Sequence, residues 1–389
     1  MNKRMTAVFR GAKPDRHPFV TRLETWYKSH LRSGTLPERF AGMSLSQVHR
    51  AVGVGQLKFM VPYALRLRGV EVSSTFDGDE FYREIEPVFE NFPGMWDIIS
   101  NQKAGITRTE LKTPIGSLHL QHEMLQEGIF TATEPYLREH LIKGDDDYRV
   151  VEYILERAEF VPLFDKIVAE QARLGDIAFV VPLPHRIPFQ QVLLEYLGEL
   201  NLFYALYDNP AQVQRLLELL DEQMLEILNQ LAGFAWDYVE FPDNLHSLMT
   251  NPKLFAQYCL PAFQRYTEVL HGQGKIVGSH TDGEMKPLLG MLKESGLDVC
   301  ESFSPRPLTD CTFEEAWTAW QGKPIIWGGV PSPILEETVG EQAYRDYVQQ
   351  LLETAGSGPV IFGVVDLFMR HNSIDRVEYF AWKLENQPI

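Results

Sequence analysis

The chain has 389 residues, of which 44% are hydrophobic and 23% charged, so its composition is that of a globular protein with one large core or two smaller ones. Its 36 basic and 53 acidic residues give a formal net charge of −17, which opposes binding to nucleic-acid phosphates and to anionic lipid. The sequence therefore predicts neither a nucleic-acid-binding protein nor a membrane-surface protein.

The amino-terminal stretch is too polar for a signal peptide, and no uninterrupted run of about 18 apolar residues follows it. We therefore expect a cytoplasmic protein without membrane spans. The first predicted strand covers residues 17–23. Residues 107–112 and 117–123 alternate in polarity around Thr-Pro-Ile-Gly, which predicts a β-hairpin insertion. The acidic run at residues 145–147 is typical of a helix amino terminus.

From about residue 175 onward, short apolar strands alternate with helical segments. This order favours a parallel sheet that is covered on both faces. The predicted strands are residues 177–182, 238–241, 275–280, 298–303, 324–327 and 360–364. The helices between them include residues 210–231, 286–295 and 313–320.

These units predict an α/β fold, a (β/α)8 TIM barrel with an N-terminal elaboration. An open dinucleotide-binding sheet is not favoured, because no G-x-G-x-x-G turn occurs. No linker rich in Gly, Pro or Ser divides the chain, so residues 1–389 are predicted to form a single domain. Residues 1–150 would form the elaboration with the first strand and the hairpin, and residues 175–385 the main barrel units.

Polar side chains follow several predicted strands at the point where each strand ends. The strand at 238–241 carries Glu240, and His280, Glu301 and Asp366 lie at or near the ends of later strands. The carboxyl ends of barrel strands converge at one mouth, where catalytic residues of this fold lie. The loops add further candidates, namely Asp243, Asn244, His246 and Asp282.

Alternation along residues 298–303 places Val299, Glu301 and Phe303 on one face of the strand. If that face points inward, Glu301 lies beside His280, and a buried glutamate needs a cation, a donor or a proton. One imidazole with two or three carboxylates suits zinc and also a harder ion such as manganese. The three cysteines lack C-x-x-C spacing, so a thiolate site is not indicated.

Several motifs in the C-terminal half occur in an order that resembles the uroporphyrinogen decarboxylase superfamily, which includes decarboxylases and corrinoid-dependent methyltransferases. They are Asn251-Pro-Lys-Leu-Phe, Cys259-Leu-Pro-Ala-Phe, Gly274-Lys-Ile-Val-Gly-Ser-His-Thr-Asp-Gly, Asp298-Val-Cys-Glu-Ser-Phe-Ser-Pro and Trp327-Gly-Gly-Val-Pro. The resemblance implies the barrel fold and less about the reaction, because one fold hosts many chemistries.

The sequence departs from the motifs of the superfamily in two places, and both departures bear on the reaction. The Arg-Gln-Ala-Gly-Arg stretch of the decarboxylase is missing from residues 21–30. The methyltransferase branch binds zinc through His-x-Cys and a later Cys; His280 matches the histidine, Asp282 stands in the first cysteine position, and Asp366 falls near the second. The resemblance thus implies a metal site of His280, Asp282, Glu301 and Asp366, with oxygen in place of sulfur and zinc as the expected ion.

Trp26-Tyr27, the hairpin and the Asp-Gly form of the histidine motif look similar to the methyltransferases of anaerobic O-demethylase systems. The resemblance implies transfer of a methyl group from a methoxylated, often aromatic, substrate to cob(I)alamin. No D-x-H-x-x-G signature occurs, so the cobalamin would be carried by a partner corrinoid protein. His280, Glu301 and Asp282 are the predicted catalytic residues. The predicted substrate-binding residues are Trp26, Tyr27, Glu240, Asp243, His246 and Phe303.

Two other functions stay open on the sequence alone. A decarboxylase or lyase would use the same carboxylates and imidazole for proton transfer, without a corrinoid. A binding protein would keep the barrel without the thiolate metal site. The sequence also leaves open whether the chain forms a homo-oligomer.

Overall fold

The computed structural model describes residues 1–90, 103–365 and 367–387. The strands are β1 Val20–Thr21, β2 Gly55–Met60, β3 Tyr63–Leu67, β4 Glu71–Phe76, β5 Asp79–Ile85, β6 Val88–Phe89, β7 Gly105–Thr113, β8 Gly116–Met124, β9 Tyr136–Glu139, β10 Ala158–Pro162, β11 Ala178–Pro182, β12 Tyr238–Phe241, β13 Ile276–His280, β14 Val299–Phe303, β15 Ile325–Pro331 and β16 Val360–Val365.

The α-helices are α1 Asn2–Phe9, α2 Glu24–Ser33, α3 Leu45–Val52, α4 Gln126–Thr131, α5 Asp145–Leu155, α6 Phe164–Leu174, α7 Pro188–Gln191, α8 Glu199–Asp208, α9 Pro210–Gln230, α10 Pro252–Leu254, α11 Leu260–Gly272, α12 Leu289–Glu294, α13 Phe313–Trp320, α14 Glu341–Ala355 and α15 Ile374–Asn386. None of these helices in the described ranges is long and apolar enough to cross a bilayer.

The chain divides into two compact units. Unit 1 consists of Met1–Met60, Asp165–Leu183 and Trp236–Ile389, and unit 2 consists of Val61–Phe164 and Pro184–Ala235. Unit 1 therefore draws its elements from three separate stretches of sequence. The predicted single domain had its N-terminal elaboration at residues 1–150, whereas β1 and β2 of unit 1 both lie within that range.

Unit 1 contains eight parallel strands in barrel order. One sheet has the order β1-β2-β11 and the other β12-β13-β14-β15-β16. Phe19 and Phe362 form a parallel bridge, and the amide of Val364 donates to Thr21 Oγ1 at 3.1 Å, so β1 lies beside β16. At the other side, β11 lies next to β12. The predicted (β/α)8 fold is confirmed.

The amino-terminal ends of the barrel strands enclose an apolar cluster. Its strand members include Val20, Tyr238, Val299, Trp327 and Ile361, most of which are the first or second residue of a strand. Helix α1 fills this end of the barrel through two residues of one helix face.

Met5 and Val8 of α1 are both buried in that cluster, and Phe9 stacks on the Tyr238 ring at a centroid distance of 4.8 Å. Full burial of one such aliphatic side chain stabilises a fold by about 1.5–3 kcal/mol. The apolar face of α1 thus makes it part of the barrel core.

The predicted and observed strands of unit 1 differ mainly near the amino terminus. Residues 238–241 form a strand with the predicted bounds, whereas the predicted strand at 17–23 is ordered as a strand only at Val20–Thr21. Strand β2 was not predicted from the sequence. Its run Gly-Gln-Leu-Lys-Phe-Met contains the polar residues Gln56 and Lys58. Gln56 is nevertheless buried, and its side-chain oxygen accepts a hydrogen bond from Ser46 Oγ at 2.7 Å.

Among the described residues, unit 2 contains two antiparallel sheets and the helices α4, α5, α7, α8 and α9. The larger sheet has the order β5-β4-β7-β8-β9, and the smaller one β10-β3-β6. β7 and β8 form the predicted hairpin, in which Thr113 Oγ1 donates to the carbonyl of Gly116 at 2.8 Å. Helix α5 begins at Asp145, as the acidic run predicted, and the Asp147 carboxylate accepts from the amide of Gly144 at 3.0 Å.

Candidate active site

Three neighbouring barrel strands bring Glu240, His280 and Glu301 together near their carboxyl ends. Glu240 is the third residue of β12, His280 is the last of β13, and the Cα of His280 pairs with that of Glu301 on β14. One potential ligand atom from each of the three side chains lies within 4.8 Å of the other two. The predicted contact between His280 and Glu301 is therefore present.

His280 lies between two carboxylates. Its Nδ1 is 2.5 Å from Glu301 Oε2, and its Nε2 is 3.4 Å from Asp282 Oδ2. Burial alone lowers the pKa of the imidazole, but the negative charges of Glu301 and Asp282 outweigh burial and raise the pKa to about 10. His280 is consequently a cation at neutral pH, with both ring N–H groups available as donors.

Glu240 is a fully buried carboxyl group. The Tyr238 hydroxyl donates to Glu240 Oε2 at 2.7 Å, and the second oxygen, Oε1, has no hydrogen-bond partner among the described residues. Burial raises the pKa of Glu240 well above its ordinary value, and the negative charge of Glu301 raises it further. The raised pKa favours the protonated form of Glu240, whose O–H can donate to a neighbouring oxygen.

Asp282 follows β13 in the loop that the sequence singled out. Burial raises the pKa of Asp282, but the charge of His280 and, more weakly, that of Arg22 outweigh burial and lower it. Asp282 is thus the ionised partner of the imidazolium.

The Asp-Gly turn after β13 depends on the small size of Gly283. Its amide donates to the carbonyl oxygen of Leu245 at 3.1 Å, and a Cβ at position 283 would lie 2.4 Å from that oxygen and 2.7 Å from His246 Cβ. Only glycine permits this approach of two backbones. The loop after β12 is thereby fixed against the loop that carries Asp282.

Asp243 and His246 support the loop after β12. Asp243 is fully buried and accepts a hydrogen bond from Ser279 Oγ at 3.3 Å, which joins the loop to β13. His246 is half-buried, and its Nδ1 accepts from the amide of Leu248 at 3.2 Å. Both contacts order the loop, and the substrate-binding role of the two residues stays a prediction.

The aromatic residues that were predicted to bind substrate have packing partners of their own. Trp26 is 2% exposed and packs its ring against Phe40 and Phe368. The Tyr27 hydroxyl donates to the carbonyl of Met43 at 2.6 Å. These contacts account for the positions of both side chains, and their binding role remains a prediction.

Strand β14 does not alternate to its end. Ser302 has a φ of 59°, and the pairing register shifts between Glu301 and Phe303. Phe303 is fully buried, and its ring packs against Trp320 of α13 at a centroid distance of 5.5 Å. Because of this irregularity, Phe303 lies on a different face of the strand from Glu301. The predicted alternation, which placed both residues on one face, is therefore wrong at Phe303.

Sequence reasoning did not single out two residues that lie close to His280. The Phe59 ring of β2 makes an edge contact with the imidazole at 6.3 Å between centroids. The Arg22 guanidinium lies over the Phe59 ring, 5.1 Å from the centroid of that ring. Arg22 makes no ion pair or hydrogen bond within residues 1–90, 103–365 and 367–387. A cation directly after a barrel strand was the signal that could have identified it.

The residues present fit a divalent cation. Glu240, His280 and Glu301 offer one nitrogen and two carboxylate donors, a set that suits zinc or manganese, and Glu240 Oε1 is the orphaned buried oxygen of the group. Asp282 lies beside His280, whereas Asp366 lies outside the described residues. The group contains no cysteine, and the three cysteines of the chain are free and buried.

Comparison with known proteins relates the C-terminal part of the chain to one family. Residues 198–364 match the model of the uroporphyrinogen decarboxylase (URO-D) family, a segment that includes β12 to β15 and nearly all of β16. The match supports the predicted relation to that superfamily. No curated protein sequence matches the chain.

Two solved structures were found to be similar to the chain, to different degrees. A methyltransferase from Methanosarcina mazei is 12% identical, with a TM-score of 0.54 over 99% of this chain and 98% of that chain. A xylose isomerase domain protein from Planctomyces limnophilus is 11% identical, with a TM-score of 0.29 over 57% of this chain and 80% of that chain. The first similarity shows a shared fold along the whole chain; the second is too low to carry an argument.

Proposed function

We propose that this chain is a methyltransferase that moves a methyl group from a methoxylated aromatic substrate to cob(I)alamin on a separate corrinoid protein. The observation that carries the proposal is the convergence of Glu240, His280 and Glu301 at adjacent strand ends, where donors can meet a leaving oxygen. The relation to the URO-D family and the fold shared with a methyltransferase add support.

The reaction breaks a strong C–O bond, so the negative charge that develops on the leaving oxygen must be stabilised. The electron pair of the Co(I) centre attacks the methyl carbon, the C–O bond breaks, and its electron pair goes to the oxygen. A proton from the enzyme then yields the free phenol, while the methyl group leaves on the cobalamin of the partner. Donors preorganised at the developing oxyanion typically lower the barrier by about 3–4 kcal/mol each.

His280 is the proposed proton donor to that oxygen. The pKa of His280, about 10, is close to the pKa of about 10 that is ordinary for a phenol, so proton transfer between them costs little. Its Nε2 has the longer of the two carboxylate contacts, 3.4 Å to Asp282, so the substrate oxygen can replace Asp282 as the acceptor. Glu301 holds the ring through Nδ1, and the protonated form of Glu240 can donate a second hydrogen bond to the leaving oxygen.

The same side chains could hold a metal ion. Glu240, His280 and Glu301 would be its ligands, and a bound divalent cation would stabilise negative charge on the leaving oxygen as a Lewis acid. Metal analysis of the purified protein, with and without a chelator in the methyl-transfer assay, decides whether this group takes part.

The assay follows the loss of cob(I)alamin absorbance with 4-methoxybenzoate or methoxybenzene as methyl donor. We expect His280→Ala to lower the rate by about 100-fold or more, because general acid catalysis contributes that much. His371→Ala is the matched control, since the His371 side chain is 62% exposed and pairs only with Glu336 among the described residues. Equal rates for wild type and His280→Ala would exclude the proposed role.

A decarboxylase is the second candidate, and the specific observation in its favour is that the matching family model is that of a decarboxylase. Such an enzyme would use the protonated Glu240 and His280 to deliver a proton to a carbanion. It would release CO2 from a carboxylated substrate without cobalamin. Product formation that is independent of cobalamin would favour this reaction over methyl transfer.

A further inference from the structure

Unit 1 contains a cavity of about 400 Å³ beside helix α14. It is lined by the loop after β14, the start of α13, the segment after β15 and one face of α14. Its lining includes none of the candidate active-site residues Glu240, His280, Asp282 and Glu301. The volume lies within the roughly 300–1,000 Å³ that is usual for small-molecule sites, so the cavity can hold a ligand of its own.

More than half of the residues that line the cavity are apolar or aromatic. Phe313 and Leu351 are buried, and the Tyr347 hydroxyl donates to the carbonyl oxygen of Gly329 at 2.7 Å. The polar end of Tyr347 is thus satisfied, and its ring adds apolar surface to the lining. The apolar and aromatic lining residues are Pro305, Pro307, Phe313, Ile334, Tyr347 and Leu351. A lining of this kind suits an apolar or aromatic group of a ligand.

Two exposed residues of opposite charge, Arg306 and Glu314, also line the cavity. Arg306 Nε donates to the carbonyl oxygen of Asp310 at 3.1 Å, which orients the guanidinium group. In the part of the chain that the structure describes, neither Nη group of Arg306 has a partner, and the Glu314 carboxylate has none either. The cavity therefore offers one unpaired cation and one unpaired anion beside an apolar interior.

We propose that this cavity binds a free α-amino acid with an apolar or aromatic side chain. The ligand carboxylate would accept from the Nη groups of Arg306, the ammonium group would donate to Glu314, and the side chain would enter the apolar lining. An anion without an ammonium group would face the like charge of Glu314, and an amine without a carboxylate would face that of Arg306. A zwitterion satisfies both residues, so the two charges select this class of ligand.

Isothermal titration calorimetry of the full chain with L-phenylalanine tests the proposal. The assay contains no cobalamin and no methyl donor, so its outcome is independent of the proposed methyl transfer. We expect one molecule to bind per chain, at least tenfold more tightly than 3-phenylpropionate, 2-phenylethylamine or glycine, each of which lacks one of the three recognised groups.

Two charge variants test the two contacts separately. Arg306→Met should weaken the binding of L-phenylalanine at least tenfold, because it removes the donors to the carboxylate. Glu314→Gln should weaken the binding of L-phenylalanine without weakening that of 3-phenylpropionate, which has no ammonium group. Thr354→Phe places a ring in the cavity from α14 and should abolish binding. Thermal unfolding confirms that each variant is folded.

Arg345→Met is the matched control. Arg345 is an exposed residue of the same helix, pairs with Glu341 at 2.7 Å and does not line the cavity, so this variant should bind like the wild type. His280→Ala should also keep its affinity, because His280 does not line the cavity. A dissociation constant weaker than about 1 mM, equal affinities for L-phenylalanine and 3-phenylpropionate, unchanged binding in Arg306→Met, or loss of binding in His280→Ala would each overturn the proposal.

Discussion

The ion pairs of His280 with Glu301 and Asp282 stabilise the folded state in a manner that depends on pH. Its pKa rises from an ordinary 6.5 to about 10, so the folded state keeps a proton that the unfolded chain releases. The stabilisation is fully present below pH 6.5 and is lost as the pH rises through 10. We therefore expect the free energy of unfolding to fall by a few kcal/mol across this window.

Denaturant titrations of metal-free protein at several pH values measure this slope. His280→Ala should remove most of it, whereas His371→Ala should keep it, because the His371 side chain is 62% exposed. A wild-type stability that does not change over the window would show that His280 is not held as a cation.

Burial of Glu240 destabilises the folded state, in contrast to the ion pairs of His280. Its raised pKa means that folding takes up a proton at pH values between the ordinary 4.5 and the raised pKa, so the stability of the fold falls as the pH rises through this window. Glu240→Gln keeps an oxygen for the Tyr238 hydroxyl and removes the titration. At pH 8 we expect it to raise the free energy of unfolding by about 1–3 kcal/mol while lowering methyl transfer.

Chemical denaturation of Glu240→Gln beside Glu337→Gln provides the comparison, because Glu337 is exposed. The control should leave both stability and activity unchanged. If Glu240→Gln proves less stable than the wild type at pH 8, then Glu240 is ionised in the fold.

Arg22 lies one aromatic ring away from His280, and we expect it to bind an anionic substituent of the substrate. Arg22→Met keeps most of the aliphatic contact with Phe59 and removes the charge. A hydrogen bond to a charged group contributes about 1.5–3 kcal/mol, so the KM for 4-methoxybenzoate should rise roughly 10- to 100-fold.

The KM for uncharged methoxybenzene should change little in Arg22→Met. Arg370→Met is the control, since Arg370 is exposed and contacts Thr35. Equal losses with both methyl donors would mean that Arg22 acts on the site as a whole and does not recognise an anion.

The sequence was sufficient to predict that His280, Glu301 and Glu240 lie close together, because each lies near the end of a strand with a clear apolar pattern. Arg22 and Phe59 were not identified, since their proximity to His280 arises from the closure of the barrel around β1 and β2. Contacts between strands that are distant in sequence leave no trace in local patterns.

At the scale of elements, the turn at Gly283 joins two active-site loops. A methyl group at this position would meet the Leu245 carbonyl oxygen at 2.4 Å. We expect Gly283→Ala to cost about 1–3 kcal/mol of stability and to slow methyl transfer, because the loop with Asp282 must move.

Gly290→Ala on α12 is the matched control, because nothing lies within 4 Å of its added Cβ. It should be neutral or slightly stabilising, as alanine favours a helix. Thermal unfolding and the cobalamin assay measure both effects. Full stability and activity in Gly283→Ala would show that the two loops can separate without consequence.

The irregular end of β14 explains why simple alternation along the strand predicted the wrong face for Phe303. A serine with a positive φ has no distinctive sequence signature, because its conformation depends on the neighbouring strand. Long, strongly periodic elements such as α9 and the hairpin β7–β8 were predictable, since each is specified by its own residues. The short β1 and the mixed β2 depend on partners elsewhere in the chain.

At the scale of the whole molecule, unit 1 closes only when its amino-terminal strands join strands that lie much later in the chain. Residues 1–60 supply β1, β2 and α1, including core residues Val20 and Leu57. A chain of residues 61–389 would lack two of eight barrel strands and expose unpaired edges.

We expect this truncated chain to lose cooperative unfolding and to aggregate, as judged by circular dichroism melting and gel filtration. Glu337→Gln, a substitution at an exposed position, serves as the control and should unfold like the full chain. A cooperative transition near that of the wild type in the 61–389 chain would mean that β1 and β2 do not support the barrel.

The oxygen and nitrogen donor set has a practical consequence for redox chemistry. Glu240, His280 and Glu301 offer nothing that peroxide or alkylating reagents attack readily, and Cys259, Cys300 and Cys311 are all buried. Burial raises the pKa of Cys311 to about 12, so almost none of it is the reactive thiolate at neutral pH. Under the proposed function, we therefore expect a group without thiolate ligands to lack the sulfur atoms that air oxidises in a zinc–thiolate centre.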